Sequence, residues 1–340
     1  MKRTSAVLAG ISGAFLAAGF AISWRDGHRF VIRRYRVFSP KIRKKTTLVF
    51  LTDLHSQTYG KRNDPEGPNG PILRAVRRIR PDAVVIGGDM IVAKDASFDR
   101  PGWMEVPLDL AGVLAEEFPV YLAEGNHEAQ LACARHEGRY LRQYLEYGRA
   151  MDHLGVHRLH NQYTDLSIKE EGKAPPWRAP KNSCGIHEKQ SAEAGAEERA
   201  DTGIRLYGLD LNCEAYRKFW PYRLCREQVE EKIGKPDPDR FCVVLAHNPK
   251  FFPVYAEWGA DLVLSGHIHG GIVRLGPNGP GLLSPDWHFF PEYTGGEYRA
   301  GKEDGTEASM VLSCGTGTHS LHLRFMNPGE IAVVELDGCD

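Results

Sequence analysis

Neither sign of charge prevails in this chain. Its 43 Lys and Arg stand against 44 Asp and Glu, a formal charge of −1, so no global field calls for nucleic acid as a partner. A C-x-x-C pair is also missing. Seven cysteines (Cys133, Cys184, Cys213, Cys225, Cys242, Cys314 and Cys339) scattered over 340 residues are an odd-numbered, poor disulfide framework, and the sequence predicts free thiols in a reducing compartment. No internal repeat and no linker between independent domains is visible. With 42% hydrophobic and 26% charged residues, the chain has the balance of a globular protein able to bury a substantial core.

Charge is absent from one stretch in particular. Ser5 to Trp24 carries none, and about 20 residues at about 1.5 Å each reach roughly 30 Å, the thickness of a hydrocarbon core. Residues 1–25 are therefore expected to form an N-terminal transmembrane helix. The alternative is a signal peptide cleaved near Ala18 to Ala21, and hence export. Between Arg25 and Lys45 lie nine Lys or Arg and one acid, Asp26, which by the positive-inside rule predicts a single-pass cell-membrane protein with its body in the cytoplasm. This basic juxtamembrane segment, 26–45, could rest on anionic headgroups. FVIRRYRVF within it reads equally as a first strand with arginines on its solvent face.

From Thr46 onward, apolar runs end in polar residues and alternate with helical stretches: TTLVFLTDLH, ILRAVRRIR, DAVVIGGDM, LDLAGVLAEE and PVYLAEGNH. Continuous Val, Ile and Leu runs alternating with helices indicate buried strands joined by β-α-β crossovers. After a helical YLRQYLEYGRAMDHLG come shorter strands, and the scheme returns with FCVVLAHNP, FFPVYAEWG and ADLVLSGHIHGG. Residues 169–202 are charged, Pro-containing and poor in large apolar side chains, so they read as a flexible insertion within a domain spanning 46–340. Leu275 to Gly305, rich in Gly and Pro, reads as loops over the site. MVLSCGTGTH and EIAVVEL supply closing strands.

The polar tips carry the chemistry. Five strand ends present D-L-H (Asp53, His55), G-D (Asp89), G-N-H-E (Asn126, His127, Glu128), A-H (His247) and G-H-I-H (His267, His269). Each alone is ordinary. Ligands in such sheets gather beyond the carboxyl ends of strands, so together these tips should meet. Carboxylates, imidazoles and an amide oxygen suit divalent ions of intermediate hardness such as Mn²⁺, Zn²⁺ or Fe. Seven ligands exceed the needs of one tetrahedral ion. Two ions about 3.5–4 Å apart use them well, and that arrangement supports in-line displacement at phosphorus by a hydroxide held between the cations.

In this ordered set, D-x-H, G-D, G-N-H-[DE], H and G-H-x-H, the sequence resembles the calcineurin-like metallophosphoesterase superfamily from about Thr46 to the C-terminus. Its N-terminal segment, the GHIHGG turn and SCGTGTHSLHLRFMNPGEIAVVEL resemble the membrane-associated branch related to UDP-2,3-diacylglucosamine pyrophosphatase. The resemblance implies an α/β fold of two mixed sheets packed as a sandwich and flanked by helices. It implies that Asp53, His55 and His269 hold one ion, that Asn126, His247 and His267 hold the second, and that Asp89 bridges them. His127 would protonate the leaving oxygen or stabilise the transition state. Glu128 would orient the turn or a ligand histidine.

The branch often has an acid soon after G-D and a Gln after H-G-G; here Met90, Ile91 and Val92 follow Asp89, and Ile272 follows Gly271. None of these is a ligand, so the departures bear on substrate. The expected activity is hydrolysis of a phosphodiester or pyrophosphate, on a membrane-associated substrate such as UDP-2,3-diacylglucosamine of the lipid A pathway. A broad-specificity phosphodiesterase or phosphatase is the alternative within the enzyme class. A non-catalytic metal-binding interaction module is the alternative outside it. The oligomeric state stays open.

Overall fold

Both faces of the runs that read as buried strands are covered by protein. Thr46–Leu51 sends Leu48 and Phe50 to one side and Val49 and Leu51 to the other, the period-2 alternation of an extended chain. The computed structural model describes residues 17–61, 63–169, 199–217, 221–276, 279–284, 288–318 and 323–338. Most of the expected insertion, 170–198, lies outside the described residues.

Two six-stranded mixed sheets carry the fold. The first runs β1 (Phe30–Phe38), β14 (Gly329–Asp337), β2 (Thr46–Leu51), β3 (Ala83–Ile86), β4 (Val120–Leu122), β5 (His157–Arg158), with only β14 and β2 antiparallel. The second runs β12 (Gly296–Gly301), β13 (Glu307–Leu312), β9 (Leu262–Ser265), β8 (Phe241–Leu245), β7 (Arg199–Gly208), β6 (Gln162–Lys169), antiparallel at its two edge pairs and parallel between. Leu48, Phe50 and Val85 of the first sheet meet Leu206, Val243, Leu245 and Leu264 of the second. That layer makes the sandwich expected from the sequence.

Helices cover the outer faces. A first helix, α1, spans 17–27. Against the first sheet pack α2 (Gly70–Ile79), α3 (Ala93–Ser97), α4 (Glu105–Glu117), the short α5 (Asn126–Leu131) and α6 (Leu141–His153), through Ile72, Val76, Leu110, Leu114 and Met151. Against the second pack α7 (Arg226–Ile233) and α8 (Phe252–Trp258), through Val229, Tyr255 and Trp258. Burying each such large side chain is worth about 1.5–3 kcal/mol, and β2, β3 and β4 of the first sheet, with β8 and β9 of the second, point their carboxyl ends to one edge of the sandwich, while β1 and β14 run the other way.

Three expectations need correction, and one reading of the basic run holds. Among the described residues no helix is long and apolar enough to cross a membrane, which overturns the transmembrane helix and the single-pass membrane location drawn from it. The physical reason is that the described end of that uncharged stretch is weakly hydrophobic and docks on the body. Arg324 N donates to Ser23 Oγ at 3.2 Å, Gln57 Nε2 donates to Gly27 O at 2.6 Å, and buried Asp26 pairs with Arg25 and Arg29. Within the basic run FVIRRYRVF is strand β1, as one of its two readings had it, and its Arg33 pairs with Glu330 while Arg34 and Arg36 pair with Glu335. Cys133 and Cys213 form a disulfide, because the turn after α5 and a 3₁₀ turn at Cys213–Tyr216 lie side by side. The tract Leu275 to Gly305 is not loop throughout: it contributes edge strand β12 and half of a small hairpin, β10 (Val273–Arg274) with β11 (Gly281–Leu283).

Candidate metal centre

All eight residues singled out from the sequence converge at the carboxyl edge. Asp53 and His55 follow β2, Asp89 follows β3, Asn126 and His127 follow β4, His247 follows β8, and His267 and His269 follow β9. The backbone is unusual there. Asp53, His55, Asp89, His267 and His269 all have positive φ, between 47° and 73°, a conformation that costs non-glycine residues energy and collects at functional sites. Neighbouring glycines permit the crowding. A Cβ on Gly88, itself at φ 90°, would lie 2.1 Å from Gly125 N, and one on Gly266 would lie 2.3 Å from Asp53 Oδ2.

The donor atoms fall into overlapping groups. Asp53, His55 and His269 offer three atoms within 4.8 Å of one another, as do Asp89, His247 and His267, and also His55, Asp89 and His127. Asp89 joins the first two groups: its Oδ2 is 3.3 Å from His247 Nε2 and 3.8 Å from His55 Nε2. Asn126 Oδ1 lies 2.6 Å from His267 Nδ1. His267 and His269 thus serve different groups, through the left-handed turn they share rather than through extended alternation.

The imidazoles are turned to present lone pairs. His247 Nδ1 lies 2.7 Å from Gly87 O and His269 Nδ1 lies 3.3 Å from Gly317 O. A carbonyl accepts only, so Nδ1 carries the proton and Nε2 is left to face the site, the orientation seen in metal-ligating histidines. The Nε2 atoms of His55 and His269 are 3.1 Å apart. This donor set fits divalent cations.

The electrostatics agree. Burial pushes Asp53 up from the usual carboxylate range. Burial opposes ionisation of Asp89 too, but His247, His127 and His55 hold it well below that range. His247 is pulled down by burial yet pushed up to about 10 by Asp89 and Asp53. Two buried carboxylates therefore demand positive charge, which a proton on His247 supplies when no cation does.

His127 stands apart. Ala93 N donates to its Nδ1 at 2.8 Å, so the neutral ring carries its proton on Nε2, which lies 3.9 Å from Asp89 Oδ2. Burial holds its pKa below the ordinary imidazole value. Glu128 orients turns, as expected: it accepts from Asp89 N at 2.9 Å, Gly125 N at 3.0 Å and Met90 N at 3.0 Å.

Several contributors carry no motif. Thr52 Oγ1 donates to Asp53 Oδ2 at 3.0 Å. Asn327 Nδ2 donates to His269 O and Gly271 O, both at 2.6 Å, fixing the histidine turn. Buried Arg324 gathers the carbonyls of Cys314, Gly315 and Gly317. Tyr216 sets its ring 5.2 Å from that of His267 and 6.1 Å from that of His247. Arg324 and Asn327 fall between the two closing strand runs, MVLSCGTGTH and EIAVVEL, where no pattern marked them, and nothing marked Tyr216.

Several known proteins are similar to this chain. An uncharacterized Bacillus subtilis protein, YpbG, is 30% identical over 118 residues, 34% of this chain and 39% of its own. An uncharacterized metallophosphoesterase of Campylobacter jejuni is 25% identical over 305 residues, 88% of this chain and 61% of its own. The chain thus spans less than two thirds of either relative. Among solved structures, a Haemophilus influenzae NAD nucleotidase matches with a TM-score of 0.41 and 12% identity, covering 80% of this chain and 45% of that one. The family model for calcineurin-like phosphoesterases matches residues 46–271, a span that holds every one of the eight converging side chains. The chain belongs to the calcineurin-like phosphoesterase family, a family of metallophosphoesterases, which are hydrolases.

Proposed function

We propose that this protein is a metal-dependent phosphoesterase that hydrolyses a phosphodiester or pyrophosphate bond. The observation that carries the reading is the position of Asp89, whose Oδ2 reaches both His247 and His55 and so joins two donor groups into one centre. Asp53, His55 and His269 would hold one divalent cation, Asn126, His247 and His267 the other, and Asp89 both. Mn²⁺, Zn²⁺ and Fe suit these nitrogen and oxygen donors. Bound there, such ions would neutralise phosphoryl oxygens and lower the pKa of water.

Hydrolysis joins a water oxygen to phosphorus and releases the leaving oxygen, which must receive a proton. His127 holds one on Nε2, kept there by the Ala93 N–H at Nδ1, and offers it toward the space beside Asp89. Because burial holds its pKa below the ordinary imidazole value, the ring would give the leaving oxygen a hydrogen bond from Nε2, and the proton that this oxygen finally keeps is the one the attacking water gives up. A non-catalytic module would tolerate the loss of any of these groups, whereas all eight converge.

Replacing Asp89 by Asn tests the centre. Activity should vanish with circular dichroism unchanged, and wild-type turnover would refute the shared role. For the finer substrate class, the GHIHGG and SCGTGTH segments support a nucleotide-linked lipid such as UDP-2,3-diacylglucosamine. The Mn²⁺-loaded protein should then release UMP from it far faster than it cleaves bis-p-nitrophenyl phosphate. Equal or inverse rates remove that substrate and leave a broad phosphodiesterase.

A further inference from the structure

Beside His267 the surface opens into a cavity of about 440 Å³. His267 lines it, so it is continuous with the metal centre. Its walls are rings: Tyr216, His288, Phe289, Phe290 and Tyr293. Tyr216 stands edge-on to His267, and Tyr293 is wedged edge-on between Phe252 and Tyr298 at ring distances of 6.4 and 5.0 Å.

The two phenylalanines are displayed outward. Phe289 is 75% exposed and Phe290 is 73% exposed, which nothing in the packing of the fold requires. They are also held there at some cost. Phe289 bridges Leu283 across the end of β11, Phe290 N donates to Leu282 O at 2.9 Å, and Phe290 itself sits at φ 50°. A bulky residue in the left-handed region is an outlier of the kind that gathers at ligand clamps.

Two polar side chains of the cavity are committed elsewhere, while Lys250 and Glu292 stand at its exposed rim. Asn248 Nδ2 donates to Ala215 O at 3.2 Å while its Oδ1 accepts from Lys250 N at 3.1 Å. Arg217 pairs with Glu214 at 3.1 Å. Such walls offer ring faces rather than a hydrogen-bonding template, and their interspersed polar atoms would be dehydrated at a loss by an acyl chain. A flat π-system keeps its own polar edge in water while stacking.

We propose that this cavity is the subsite for a planar aromatic substituent of the phosphoester, of nucleoside size, stacked on Phe289 and Phe290 with its phosphate directed to the metal centre past His267. The inference rests on the phosphoesterase reading above and goes beyond it by assigning the second substituent. Recognition by stacking also tolerates changes in the ring, since every base presents a π-face.

The test is equilibrium binding to the Mn²⁺-loaded full chain by titration calorimetry, which needs no turnover. Thymidine 5′-monophosphate should bind at least about tenfold more tightly than methyl phosphate, the scale expected of one stacked base. Phe289→Ser, and separately F289A/F290A, should shrink that ratio to about threefold or less. Equal affinities in the wild type, or a ratio unmoved in both variants, overturn the subsite. Hydrolysis of the p-nitrophenyl ester of thymidine 5′-monophosphate is followed in parallel. A binding preference without hydrolysis upholds the subsite and sinks the phosphoesterase reading; hydrolysis without preference does the reverse.

Discussion

His55 Nε2 and His269 Nε2 face each other at 3.1 Å across 214 residues of sequence. Two basic nitrogens so placed, beside buried Asp53, form a ready clamp for a cation. Replacing either histidine by Ala should lower bound metal from about two ions to about one per chain by elemental analysis, because one donor group of three is broken. Two retained ions would refute the grouping.

Metal uptake should release a proton. In the metal-free protein His247 is pushed up to about 10 by Asp89 and Asp53, which outweigh burial, so at pH 7.5 it is protonated and must lose that proton to ligate. Titration calorimetry in two buffers of different ionisation enthalpy should report net proton release, with affinity weakening as pH falls. Identical heats in both buffers would contradict this.

His127→Ala should reduce kcat by about 10²–10⁴-fold, the usual range for a positioned proton donor, with metal content unchanged. Loss of metal in that variant would make His127 a ligand instead.

Glu128→Gln leaves one acceptor oxygen where a carboxylate now takes three backbone N–H groups. An unsatisfied buried donor costs about 1–3 kcal/mol. Urea unfolding of the metal-free variant should show a loss of that size, and none would mean the turn is held otherwise.

His160 provides a pH signature away from the metal ligands. Its Nδ1 lies 2.6 Å from Asp210 Oδ2, and that hydrogen bond raises its pKa above the ordinary 6.5 against the pull of burial; Glu124 Oε2, 3.8 Å away, adds to the rise. A folded value above the unfolded one means stabilisation present in full below about pH 6.5 and lost as pH climbs through the folded value. The melting temperature of metal-free His160→Ala should therefore fall further below wild type at pH 6 than at pH 9. Equal deficits at both would deny the pairing.

The metal centre was legible in the sequence because buried parallel strands cannot hide their polar ends: TTLVFL, AVVI, FCVVL and LVLS each break into a donor at the sheet edge. Partnership between distant segments was not legible. Nothing local in FVIRRYRVF says that it lies parallel to residues 299 positions later, as Phe30 does with Gly329. The same blindness hid the Cys133–Cys213 bridge, 80 residues long, and the ring of Tyr216. Hydropathy misled at the N-terminus because absence of charge is not strength of apolar character. The Ala- and Gly-rich stretch satisfies a length rule, while Ser23 and the Gly27 carbonyl just beyond it tie its end to the protein.

Each of the two proposed ligand sets straddles the sandwich. Asp53 and His55 issue from the first sheet and His269 from the second; Asn126 issues from the first, and His247 and His267 from the second. A cation gripped by either set rivets one layer to the other, so occupancy of the reaction centre is itself a mechanical seam along the open edge of the molecule. Chelation should accordingly speed amide exchange on both sides of that seam together, at Gly88 and at Gly266, well before any helix on the outer faces loosens.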